Sequence, residues 1–155
     1  FSAIMKKYYF KILYYKCRRN LMKIPQDIQN VFNNDKAISF GTADKSGIPN
    51  INIIAIKRIE DDETILLADN YFNKTLRNLN ENKKATILTK KEEEKKWYQL
   101  KGTCSYIEEG PQYEEFKKWV KAKKETLPAK GIVIFKVEQI FNVASGPDAG
   151  KPIAQ

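Results

Sequence analysis

The sequence predicts a mainly β (α+β) protein of one domain, with six antiparallel strands closing into a small barrel beside two or three short helices. A chain of 155 residues is the usual length of a single domain and long enough to bury a real core. Strand-like runs follow one another through hairpin-length links rich in Gly, Asn, Asp and Ser, the signature of antiparallel pairing. Two of the runs, Ile53-Ile54-Ala55-Ile56 and Ile132-Val133-Ile134-Phe135, are apolar on both alternations. A strand apolar on both faces is buried on both sides. A helix can cover part of such a barrel and a second subunit the rest.

The elements follow in order. Pro25 sits where a first helical turn tolerates it, and Ile24, Ile28, Val31 and Phe32 recur at helical spacing, so a short helix is expected from about Pro25 to Asn33. Ala37 to Asp44 is the first strand and Lys45-Ser46-Gly47 its turn. Asn50 to Ile59 is the second, closed by Glu60-Asp61-Asp62, and Thr64 to Ala68 the third. A helix starts near Asn73. Ala85 to Thr89 is the fourth strand and Trp97 to Ile107 the fifth, with a charged hairpin tip at Lys90 to Lys96 that reads as a solvated link. Pro111 opens a helix to about Lys124, whose stripe of Tyr113, Phe116, Trp119 and Val120 reads as core packing before it reads as a cofactor surface. Gly131 to Val143 is the last strand, and a Gly- and Pro-rich tail runs to Gln155.

The net charge of +9 is concentrated at the start. Residues 1–21 hold six basic and no acidic residues, whereas the remainder holds 22 basic against 19 acidic. This opening is expected to lie outside the fold, as untranslated upstream sequence would, with Met22 starting the domain and residues 22–155 forming it. The alternative is a basic, aromatic helix at a membrane interface. It fits neither a signal peptide nor a membrane span, because Lys11 interrupts the apolar run and the uncharged stretches fall short of about 18 residues. Outside this opening no basic-aromatic stacking surface is legible, so nucleic acid is not an expected partner.

Two cysteines, Cys17 and Cys104, fit no metal-ligand spacing or disulfide framework, which points to a reducing cytoplasm. The absence of histidine excludes histidine triads, imidazole-bound zinc and histidine-ligated haem. No metal site is expected, and redox or group-transfer chemistry has to come from a cofactor.

The informative stretch runs from Leu67 to Leu79. Asn73 is a plausible cap, and the free amides of a first helical turn favour an anion. Lys74 adds a charge, Thr75 a hydroxyl, and Arg77 and Asn78 follow one turn later. This is either a phosphate-monoester site or a basic surface helix. Asn50 and Asn52 are amides in a strand otherwise of Ile and Ala, where Asn is depleted. They mark either an exposed edge or polar partners for a bound ring such as a flavin pyrimidine.

Thr42-Ala43-Asp44, Gly47, Pro49-Asn50, Asp61-Asp62, Ala68-Asp69-Asn70, Lys74-Thr75 and Asn78-Leu79 fall in the order and spacing of the pyridoxamine-phosphate-oxidase-like FMN-binding split barrels, and the chain resembles that family from Met22 to Lys151. Gln99-Leu100-Lys101-Gly102-Thr103 and Gly146-Pro147-Asp148-Ala149-Gly150-Lys151 continue the match. The resemblance implies a six-stranded split barrel and a homodimer with two FMN sites at its interface. It implies that Asn73, Lys74 and Thr75 hold the phosphate, and that Asn52, Ala68 and Asp69 face the flavin. Trp97 and Lys101 would reach the cofactor across the dimer. Family oxidases carry two consecutive basic residues at the phosphate, where this chain has Lys74-Thr75. They end in a Trp- and Arg-containing substrate segment, where this chain ends Gly-Lys-Pro-Ile-Ala-Gln. Vitamin B6 oxidation is therefore not the expected activity. The expectation is an FMN-binding oxidoreductase or electron-transfer protein with an unidentified small-molecule or redox partner and no assigned catalytic residue. A deazaflavin-dependent reductase and a non-catalytic flavin carrier or sensor are the alternatives.

Overall fold

The computed structural model describes residues 21–153, so the expectation for residues 1–20, and for the last two, lies outside the described residues. The elements are α1 (Gln26–Asn34), β1 (Ile38–Ala43), β2 (Pro49–Ile54), β3 (Lys57–Asp61), β4 (Thr64–Asp69), α2 (Lys74–Glu81), β5 (Lys84–Lys91), β6 (Lys96–Ile107), α3 (Pro111–Lys123) and β7 (Gly131–Asn142). The strands form one sheet in the order β2-β1-β5-β6-β7-β4-β3, and every pairing is antiparallel. The two ends of that order, β2 and β3, are consecutive in sequence and joined only by Ala55 and Ile56. The sheet must therefore curl until its edges meet, yet no ladder joins them. The described residues form a split half-barrel, mainly β, with three helices.

The expected six strands are seven, because the second is two. Its halves pair with different partners, β2 with β1 and β3 with β4. The break falls at Ala55-Ile56, where Ala68 N donates to Ile56 O at 3.0 Å. No Gly or Pro marks this change of partner, so the apolar run conceals it.

Burial follows the pleat. Ile65 and Leu67 of β4 enter the main core with Phe40, Ile87, Leu100 and Phe135, and α1 adds Ile28 and Phe32. Leu66 and Ala68 point the other way and meet Tyr113, Phe116 and Val120 of α3, so the α3 stripe is core packing. β4 is buried at all six positions and β7 over its first three. In contrast, β2 is not buried on both sides of the single chain: Ile51 and Ile53 remain 69% and 68% exposed. Both lie on the face opposite Asn50, Asn52 and Ile54, where no helix among the described residues is laid. Each fully buried large side chain is worth about 1.5–3 kcal/mol, so this uncovered face forgoes a sizeable stabilisation.

Met22 belongs to the domain, with its side chain 4% exposed and its N–H donating to Val137 O at 2.8 Å. The hairpin tip carries Glu92–Glu94 as a 3-10 turn, crossed by exposed ion pairs of Lys91 and Lys96 with Glu94 that stabilise little. Gly102 marks a bulge between β6 and β7. A Cβ there would lie 2.0 Å from Lys136 O, so no larger residue fits.

Candidate functional site

α2 buries Thr75, Asn78 and Leu79, an i, i+3, i+4 stripe that is two-thirds polar and so needs internal partners. Asn78 Nδ2 donates to Thr42 Oγ1 at 3.1 Å. Asn50 Nδ2 donates to Thr75 Oγ1 at 3.1 Å and reaches Thr42 Oγ1 at 3.4 Å. Thr42 on β1 is thus a buried hub holding α2 and β2 together. Thr75, fully buried, receives a hydrogen bond from inside the fold. Asn73 precedes the helix, but its side chain makes no capping bond, contrary to the expected cap, and the first-turn amides have no side-chain acceptor from it.

Lys74 and Arg77 lie exposed on the outer side of the helix. They line a cleft of about 270 Å³ with Asn50 and Asn78. Asp44 and Glu81 share that cleft. Asp44 Oδ1 accepts from the Ser46 and Ile48 amides, and Glu81 Oε2 from the Lys45 amide. Two cations therefore face two carboxylates already engaged with backbone donors, while the cations carry no ion pair of their own among the described residues. Arg77 supplies a second positive charge where Thr75 has turned inward.

A second groove, about 360 Å³, opens along the other half of β2. Asn52 and Ala68 both line it, with Ile53, Asn70 and Tyr71. Tyr71 is 75% exposed, a large aromatic face beside an amide. Asp69, by contrast, is fully buried. Its Oδ1 accepts from the Phe72 amide at 2.8 Å and its Oδ2 from the Tyr106 hydroxyl at 2.9 Å. Lys130 Nζ lies 3.6 Å from Oδ1. Burial first, and then the hydrogen bond to Asp69, holds the Tyr106 hydroxyl protonated well above the ordinary tyrosine range.

Trp97 and Lys101 lie elsewhere. Cross-strand register puts Lys101, Thr86, Gly41 and Ile51 on one face of the sheet, and Leu100, Ile87, Phe40 and Asn52 on the other. Trp97 and Lys101 line an open groove of about 960 Å³ on the outer face, together with Pro49, Asn50 and Ile51. Lys90 Nζ sits 4.6 Å from the Trp97 ring centre and Lys101 Nζ 5.2 Å from that of Phe141.

The ten expected site residues thus divide. Asn50, Lys74 and Asn78 share the small cleft; Asn52 and Ala68 share the ring-sized groove; Asn50, Trp97 and Lys101 share the outer one. Asn73 lies exposed at the start of α2, and Thr75 and Asp69 are turned inward. Arg77, expected in the phosphate site one turn after Lys74, joins the small cleft. Thr42, Tyr71, Tyr106 and Lys130 complete the arrangement without having been singled out as ligands. Among the described residues no group of three or more potential metal ligands converges.

Comparison with known proteins agrees with this fold. Residues 24–144 match the model of a family described as pyridoxamine 5'-phosphate oxidase. An uncharacterised protein of Methanocaldococcus jannaschii is 36% identical over 138 residues, which is 88% of this chain and 91% of that protein. The crystal structure of a tagged form of HupZ from Group A Streptococcus superposes with a TM-score of 0.71 at 34% identity, covering 82% of this chain and 99% of that one. An FMN-binding protein from Syntrophomonas wolfei superposes with a TM-score of 0.65 at 23% identity, covering 91% and 97%. A family match over most of the domain and a relative above one-third identity over nearly the full chain lead to one conclusion: this protein belongs to the pyridoxamine 5'-phosphate oxidase family.

Proposed function

We propose that the protein is a cytoplasmic FMN-binding oxidoreductase or electron-transfer protein, acting as a homodimer with one flavin at each of two shared sites. One observation carries the reading. The start of α2 joins Lys74 and Arg77 to first-turn amides free of a side-chain cap, and the groove of Asn52 and Ala68 opens along the same strand β2. An anion-favouring helix start beside a groove with a polar amide and an aromatic face suits a ring carrying a phosphate tail. FMN when bound would supply the redox chemistry. The chain supplies orientation: Lys74 and Arg77 neutralise the phosphate, and the Asn52 amide pairs with the ring's polar edge.

The dimer rests on two features. Ile51 and Ile53 are exposed on one face of β2, and contiguous apolar patches mark interfaces. Trp97 and Lys101 occupy the face opposite Asn52, so a flavin lying against Asn52 would meet these two residues from a second copy. Oxidation of pyridoxamine phosphate is not part of the proposal; the segment after β7 pairs back on that strand through Phe141 and Pro152.

The test is the ligand itself. Purified protein supplied with FMN should show a flavin absorbance spectrum, and the molecule released on denaturation should have the mass of FMN. Release of haem or a deazaflavin, or failure to take up FMN, would refute the assignment.

A further inference from the structure

The segment from Asp69 to Phe72 is the bridge between β4 and the start of α2, and an unusual number of polar contacts converges on it. Lys130 N donates to Asp69 O at 2.8 Å, and Ala129 N to Asn70 Oδ1 at 3.0 Å. The Tyr106 hydroxyl donates to Asp69 Oδ2, and Asp69 Oδ1 accepts from the Phe72 amide. Lys130 Nζ lies 3.6 Å from Asp69 Oδ1 and 3.4 Å from Phe72 O. Asp69 is thus a fully buried carboxylate whose two oxygens face one turn amide, one phenol and one ammonium. A buried carboxylate is tolerated only with such partners, and its directional bonds specify geometry more than they add stability.

Two backbone features show that this geometry is built in. Ala129 adopts φ of 48° while 2% exposed, a left-handed conformation that costs an L-residue about 1–2 kcal/mol and persists only where surroundings over-determine it. Its carbonyl accepts from the Tyr113 hydroxyl at 3.0 Å. Gly131 follows, and a Cβ there would lie 2.3 Å from the Tyr106 hydroxyl oxygen. Only glycine leaves room for the phenol to reach Asp69.

We propose that Tyr106, Asp69 and Lys130 form a clamp that positions the start of α2, with Tyr106 the positioning residue through which β6 sets phosphate affinity. The proposal rests on reading the start of α2 as the phosphate site. Phe72 is its lever. Phe72 N is held by Asp69, and its ring lies in the core 6.4 Å from that of Phe40. Asn73 and Lys74 follow directly, so a rotation of the Asp69 carboxylate moves the first-turn amides and Lys74 together. In this arrangement the Asp69 side chain acts through Phe72 rather than by touching the flavin.

The test uses Tyr106→Phe in the full chain. In the ligand-free protein, hydrogen exchange at the Phe72 amide should quicken at least tenfold while that at Leu67, in the middle of β4, stays unchanged. FMN affinity should fall about tenfold and riboflavin affinity less than twofold. A residue that merely supports the fold would lower both equally. Lys130→Met, at a half-exposed position, removes the ammonium but keeps the stem, and should shift both readouts in the same direction if Tyr106→Phe fails to fold. Unchanged Phe72 exchange, or an equal fall for both flavins, overturns the clamp. If the unaltered protein binds both flavins equally, the phosphate-site reading fails instead, and the exchange result alone decides the clamp.

Discussion

Replacing Thr42 with Val tests the hydrogen-bonded hub that joins α2 to the sheet. Val keeps the β-branched shape that a strand accommodates but removes the acceptor for two amides, Asn78 Nδ2 at 3.1 Å and Asn50 Nδ2 at 3.4 Å. Thr42 is 5% exposed and Asn78 8%, so water cannot readily replace the lost partner. An unsatisfied buried donor costs about 1–3 kcal/mol. Asn50 keeps its bond to Thr75 and contributes at the low end, so the sum is about 2–4 kcal/mol. Urea unfolding should show a lower midpoint with an unchanged slope. Thr42→Ser retains the acceptor, loses one methyl, and should cost only about 1 kcal/mol. FMN affinity should fall with Val and not with Ser. A loss below about 0.5 kcal/mol for Thr42→Val would mean that the hub does not hold α2.

Two further outcomes follow. Cys104 is 3% exposed, and burial pushes its thiol from 9.0 up to about 12. The unfolded chain then ionises first, so stability present below pH 9 is lost progressively between about pH 9 and 12. Cys104→Ala should flatten that part of the stability profile measured in urea; an identical slope in the variant would contradict the burial argument. For the dimer, sedimentation equilibrium should give twice the chain mass at micromolar concentration, and Trp97→Ala should weaken flavin binding although Trp97 lies in a different groove from Asn52. A monomer that still holds flavin would refute the shared site.

Much of the fold is legible because local patterns agree with it. The Ile28, Val31, Phe32 stripe, the Tyr113, Phe116, Val120 stripe and the charged link between β5 and β6 each carry their own periodicity or turn chemistry. The change of partner at Ala55-Ile56 is not legible, since the change of sheet edge leaves an uninterrupted apolar run. The cover of β2 is not legible for a related reason. Two-sided apolarity states that both faces want cover, not what provides it, and among the described residues Ile51 and Ile53 remain exposed. At the candidate site, Lys74 stands out by charge and position. The inward turn of Thr75 depends on Asn50, 25 residues away, and that of Asp69 on Tyr106, 37 residues away. Such pairings leave no mark on neighbouring residues, so a strand-loop-helix pattern reveals which residues gather but not which of them the fold consumes.

The central claim is that the start of α2 recognises a phosphate ester, and a paired titration tests it most directly. FMN and riboflavin differ only in the phosphate, so the ratio of their dissociation constants isolates it. FMN should bind at least tenfold more tightly, and Lys74→Ala should weaken FMN by about 1.5–3 kcal/mol, roughly ten- to a hundredfold, while riboflavin is unaffected. Equal affinity for the two flavins in the unaltered protein, or an equal loss of both on removing Lys74, would contradict the account.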